Sequence, residues 1–203
     1  MCWQPWQVTS DMNNGTILGF ATQSGAVSGV VPMPIDSRTI TSSMTYTAPV
    51  SGTLLIRAIA ADGSGGVSFG GCATGAGAGE SADKVVQVSA GDEYVITIGA
   101  GGAAVTRSTT GSTNGNDGGD TAITGPNVNL IVKGGKGGKA GPVSAGAQLL
   151  GGLGGEGGTG GDVHRPGGRG GDIANCATQG ATGGGAVNFS TTLTQAATRG
   201  GDV

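Results

Sequence analysis

The chain has 203 residues, of which 46 are glycine, against only 2 Trp, 2 Tyr and 3 Phe. A buried aromatic supplies roughly 150–250 Å² of area, so a conventional aromatic core is excluded and the chain must bury backbone and small aliphatic groups instead. Charged residues make up 11% and the formal net charge is -3, which excludes the electrostatic footprint of a nucleic-acid binder or of a protein held on an anionic membrane surface.

Residues 1–43 hold Trp3, Pro5, Trp6, Pro32 and Pro34 with sparse glycine, and the composition changes near Thr45. This predicts an N-terminal attachment segment, 1–43, and a glycine-rich module, 44–203. The opening MCWQPWQVTSD lacks the basic and apolar regions of a signal peptide. No apolar run approaches the roughly 18–20 residues that span a bilayer as a helix. Assembly in a cytoplasm, without membrane insertion, is the expectation. Trp3, Pro5 and Trp6 either fold back on their own surface or form a rigid docking peg for a partner groove.

From Met44 the text becomes strand-like: MTYTAP, GTLLIRAIAADG and DKVVQVSAGDEYVITIG, with NVNLIVK (127–133) as a fourth stretch. Val, Ile, Thr and Tyr are enriched, apolar and polar residues alternate, and breaks fall at Pro49, Gly52, Asp62-Gly63 and Ala90-Gly91. These predict a small antiparallel sheet region. The insertions between them, GSGGVSFGGCATGAGAGE and GAGGAAVTRSTTGSTNGNDGGD, carry no apolar stripe at helical spacing, and each glycine costs roughly 1 kcal/mol inside a helix. Essentially no α-helix is expected.

After Lys133 a period of three appears. Lys133, Lys136, Lys139 and Pro142 recur every third residue, as do Leu153, Glu156, Thr159 and Asp162, with glycine filling most positions between. A polyproline-II-type helix has about 3 residues per turn and rises about 3.1 Å per residue, so a G-G-X repeat stacks its X side chains in one column and leaves two bare faces. Neighbouring helices can then approach backbone to backbone. The fold class this predicts is mainly β with a polyglycine II helix bundle, in which left-handed glycine-rich helices pack after the sheet region. Val163-His164-Arg165-Pro166 interrupts the repeat and is read as the reversal at a hairpin tip, because proline suits turns. Gly151 to Asp162 would span about 37 Å at that rise. A flexible linker is the competing reading, since glycine-rich chains are coils when nothing packs them.

The remaining motifs are weak. Gly99 to Ala104 outlines the dinucleotide fingerprint, but no helix follows to hold a pyrophosphate. GGTGGD and GGRGGD match the first six positions of a calcium-binding nonapeptide; their eighth positions, His164 and Ala174, are not large apolar residues. A calcium β-roll stays open as an alternative. His164 is the sole histidine, so no multi-histidine metal site can form. Cys2, Cys72 and Cys176 are odd in number and widely spaced, and are expected to be small buried thiols. No nucleophile elbow or paired-acid constellation stands out, so neither an enzyme nor a cofactor is expected.

The strings TYTAPVSGTLLIRAIAADGSGG, GAGAGESADKVVQVSAGDEYVITIGAGGA and NVNLIVKGGKGG resemble the glycine-rich domain of bacteriophage tail-fibre and related virion proteins. The run Gly151–Asp172 is similar in style to the tip adhesins of T-even-type long tail fibres. The resemblance covers roughly residues 44 to 203. It implies a rigid module on the outside of a phage particle, with nothing catalytic, and it admits a homotrimer. It further implies other virion proteins as partners of the N-terminal segment and a host-surface polysaccharide or outer-membrane protein as receptor. Binding usually resides in loops on a rigid scaffold. The candidate receptor contacts are Val163, His164, Arg165 and Pro166 together with Arg107, Asn114, Asn116 and Asp117; the candidate virion-docking residues are Trp3, Pro5 and Trp6. A cement protein that binds no receptor and an ice-binding polyglycine II protein are the alternatives.

Overall fold

The structure is a computed structural model that describes residues 37–69, 71–106, 111–142, 148–174 and 176, with the backbone of residues 16–18. The described residues form strands β1 (Thr16–Leu18), β2 (Thr39–Ile40), β3 (Met44–Thr47), β4 (Gly52–Ile59), β5 (Val67–Ser68), β6 (Gly71–Ala73) and β7 (Ser81–Val88). They continue with β8 (Glu93–Thr97), β9 (Ser112–Thr113), β10 (Thr121–Gly125), β11 (Val128–Val132), β12 (Ala140–Pro142) and β13 (Val163–Arg165). No α-helix occurs among the described residues.

Two antiparallel sheets carry the core. One has the order β13-β7-β4-β1-β2, the other β11-β10-β8-β3. Alternation fixes which faces meet: Leu54, Ile56 and Ala58 of β4 and Ala82, Val86 and Val88 of β7 are buried, as are Tyr94 and Ile96 of β8, Ile123 of β10 and Leu130 and Val132 of β11. All of them belong to one apolar cluster. The sheets therefore lie face to face as a sandwich, whose inner side chains keep them about 10 Å apart. Both tyrosines of the chain, Tyr46 and Tyr94, sit opposite each other across β3 and β8 and are fully buried. Gly125 leaves the room for the Tyr94 ring, because a Cβ there would overlap it.

Turn chemistry sets the registers. β10 and β11 join through Pro126-Asn127, with Asn127 at φ 59°, the arrangement of a type II turn with proline first and a left-handed residue second. β7 and β8 join through Ala90-Gly91, where Gly91 has φ 90° and Ser89 N–H donates to Asp92 Oδ2 at 2.8 Å.

Beyond one end of the sandwich the strands run on as glycine-rich segments. Segment 60–66 follows β4, 74–80 precedes β7, 114–120 precedes β10, and 133–139 follows β11. With no side chains to hold the two sheets apart, their extensions close onto each other and bond across the former gap. Ala60, Gly63 and Gly66 donate to Glu80, Gly77 and Thr74, while the intervening Ala61 and Ser64 donate to Gly119 and Asn116 of the other sheet's extension. Thr74, Gly77 and Glu80 donate in turn to Lys139, Lys136 and Lys133. Each series steps by three residues. A strand ladder alternates every two residues between partners lying in one plane; a step of three sends successive amides toward neighbours in different directions. A Cβ on Gly77, Gly115, Gly134 or Gly155 would overlap a carbonyl of the adjoining segment. Glycine is thus required by close approach.

Segments 151–158 and 166–172 form the expected antiparallel hairpin, with Gly167 and Gly170 donating to Gly155 and Gly152. Its tip differs from the expectation. Val163–Arg165 is a strand, β13, paired with Asp83, Ala82 and Ser81 of β7, and glycines 157 and 160, both at φ 82°, change the chain's direction instead. Thr159 also bridges Ile131 at the edge of β11, with both N–H to O distances under 3 Å. The tip therefore touches both sheets and closes one open side of the sandwich.

The cysteines correct the thiol expectation. Cys72 and Cys176 are buried but joined as a disulfide, with Cα atoms 5.3 Å apart across a separation of 104 residues. They pack with Ile173 and Leu149 in a second small apolar cluster. An odd cysteine count at wide spacing gives no pairing signal. Cys2 lies outside the described residues.

Candidate interaction surface

Two groups of the expected contact residues fall on described structure; Arg107, Trp3, Pro5 and Trp6 lie outside it. The first group is the β13 corner. Val163 and Pro166 are exposed, whereas His164 and Arg165 are largely occupied. His164 Nε2 accepts the Gly161 N–H at 3.0 Å, so the ring proton sits on Nδ1 and is donated to Glu80 Oε1 at 2.7 Å. Glu80 Oε2 accepts from the N–H groups of Lys133 (3.0 Å) and Gly158 (2.9 Å). The Glu80 side chain is 2% exposed, and a carboxylate so buried is tolerable only with its lone pairs met. Here it ties β7's entry, β11's exit and the hairpin tip together. Arg165 Nη2 and Arg57 Nε flank Asp83 at 3.0 and 3.4 Å. Asp162 holds Lys84 Nζ and the Val85 N–H, each at 2.7 Å, and these partners, Lys84 first, keep its carboxyl below the usual range.

The second group is a ladder. Asn114, Asp117 and Asp120 stand every third residue on 114–120, opposite 133–140. Asp120 Oδ1 accepts the Gly134 N–H (2.9 Å), Asp117 Oδ1 the Gly137 N–H (2.8 Å) and Asn114 Oδ1 the Ala140 N–H (2.8 Å). The second carboxylate oxygens bind Lys133 (2.8 Å) and Lys136 (2.9 Å). The Gly137 amide and then Lys136 hold Asp117 below the usual carboxylate range, and Asp117 raises Lys136 in return. For Asp120 burial pushes upward, yet Lys133 and the Gly134 amide outweigh it and the net shift is downward. Carboxyls lowered in this way stabilise the fold above their unfolded pKa, near 4, and lose that contribution as pH falls through the lower folded value. Asn116 is exposed, with its Nδ2 donating to Ala103 O at 2.9 Å.

Sequence reasoning found the lysine column but missed its acidic counterpart, although Asn114, Asp117 and Asp120 share the same spacing. It also missed Glu80, whose role depends on partners far along the chain. The two nonapeptide aspartates are engaged by N–H groups, Asp162 as described and Asp172 by Gly151 N–H at 2.8 Å. No group of three or more metal-ligating side chains occurs among the described residues.

The site is thus part of a two-sheet antiparallel scaffold that passes into glycine-rich packing, with most of its aspartates holding main-chain amides. Residues 38–203 match the family described as glycine-rich domain, and the chain belongs to it. No curated protein and no solved structure matches the chain.

Proposed function

We propose that the chain is a bacteriophage virion structural protein, a tail-fibre tip or capsid-attached fibre, that contacts the host cell surface from a rigid glycine-rich scaffold. The observation that carries this reading is the three-residue repeat of main-chain hydrogen bonds through the glycine-rich segments. We infer that these segments are polyglycine II helices, since a left-handed helix of about 3 residues per turn aims successive amides at different neighbours. Main chain bonded in three dimensions makes a stiff platform, and short segments at its margins are free to vary. In this reading residues 1–43 attach to other virion proteins through Trp3, Pro5 and Trp6. The receptor, a polysaccharide or outer-membrane protein, meets 163–166 and 107–117.

The test is direct. The chain is sought by mass spectrometry in purified particles of the parent phage, and labelled protein is titrated onto susceptible bacteria. Saturable adsorption displaced by whole particles is expected. A chain present in particles that never adsorbs would be a cement protein, and a chain absent from particles overturns the reading.

A further inference from the structure

The ladder on 114–120 has two closed rungs and one open one. At the closed rungs an aspartate uses one oxygen for a main-chain amide and the other for the lysine just before that amide, Lys133 ahead of Gly134 and Lys136 ahead of Gly137. The third rung has the same register, with Ala140 N–H held by Asn114 Oδ1 and Lys139 just ahead. Here an amide nitrogen replaces the second oxygen. An NH2 group is a donor and cannot neutralise an ammonium. Lys139 makes no ion pair among the described residues, and both side chains are exposed. Two carboxylates against three ammoniums leave one positive charge in excess at this end.

We propose that Asn114 and Lys139 form a subsite for a carboxylate group of an acidic surface polysaccharide, an inference that rests on the host-contact reading above and names its ligand class. A carboxylate presents two acceptor oxygens, and the open rung offers the Lys139 ammonium and the Asn114 amide donor, the Asn114 side chain being held by the Ala140 N–H. A single exposed charge pair is weak. A polyuronate offers the same anion at every sugar, so repeated engagement raises the apparent affinity.

Binding of the full chain to alginate, with neutral dextran as control, tests this. Alginate is expected to bind and dextran not, with binding weakening as salt rises. Lys139→Gln should weaken alginate binding about threefold, the effect of losing one exposed charged contact. Asn114→Asp keeps the acceptor for Ala140 but supplies the missing carboxylate, so it should close the rung onto Lys139 and weaken binding by a similar factor with no loss of melting temperature. Equal binding by both variants and the parent overturns the subsite, as does stronger competition by inorganic phosphate than by acetate. Adsorption to bacteria that neither variant changes sinks the subsite and leaves the host-contact reading standing. Charge-dependent alginate binding without adsorption to any susceptible host does the reverse.

Discussion

Asp62 shows how a single side chain sets a local balance in this chain. It lies where segment 60–66 leaves β4, and its Oδ1 accepts the Gly79 N–H at 2.8 Å. Burial raises its carboxyl above the ordinary range, with the Gly79 amide opposing the shift. A raised acid means the folded state disfavours the charged form, so Asp62 costs stability at neutral pH, and that cost disappears as pH falls through its folded pKa and then its unfolded one. Asp62→Asn keeps an oxygen for Gly79 and removes the charge. It should stabilise at pH 7 by less than about 1 kcal/mol, solvent screening limiting the gain at a partly exposed site. In urea titrations the advantage over the parent should vanish below about pH 4, where both side chains are neutral; an advantage that grows with acid would contradict the argument.

The glycine-rich elements make a sharper demand. A Cβ at Gly155 would overlap the Lys133 carbonyl and crowd the Glu80 amide, whereas one at Gly65 meets only the Thr74 carbonyl at 3.8 Å. Gly155→Val should therefore cost at least about 3 kcal/mol, because the obstacle is main chain bonded on both sides and cannot yield. Gly65→Ala should change stability by no more than about 0.5 kcal/mol. Chemical denaturation of the two variants gives the comparison, and similar stabilities would mean that the segments are loosely packed. The sandwich strands were legible because Val, Ile, Thr and Tyr are enriched and side chains alternate in Lys84-Val85-Val86-Gln87-Val88 and Tyr94-Val95-Ile96-Thr97-Ile98. β10 escaped because Thr121–Gly125 is short, abuts a glycine run and shows its pattern only against β11. The three-residue spacing was visible as well. Which segments lie side by side was not, since bare glycine carries no complementary pattern, and proline at 166 suggested a turn where β7's free edge instead draws Val163–Arg165 into pairing.

Among the described residues, one covalent constraint reaches across the molecule, the bond between Cys72 and Cys176. Closing a loop of about 100 residues removes up to about 4.7 kcal/mol of unfolded-chain entropy in the simplest model, with about 2–4 kcal/mol typical of real proteins. Reduction, or the double replacement Cys72→Ser and Cys176→Ser, should lower the melting temperature markedly, and the reductant should then have no further effect on the double variant. A parent melt indifferent to reductant would count against the bond. Disulfides persist in oxidising surroundings and are reduced by cytosolic thiols. Assembly in a cytoplasm would place closure of this bond after the protein leaves the cell.

The hairpin tip that bridges β7 and β11 carries a cost in time. Residues 158–165 emerge from the ribosome some eighty positions after β7, at about 5–20 residues per second. Until they arrive, the flank of the sandwich they seal stays open, and Glu80 lacks two of its donors. Such distant partners slow folding, because chain entropy must be surrendered before the contacts reward it. Sealing of that flank is thereby coupled to synthesis of the tip, and a nascent chain halted before residue 158 would leave the edges of β7 and β11 open.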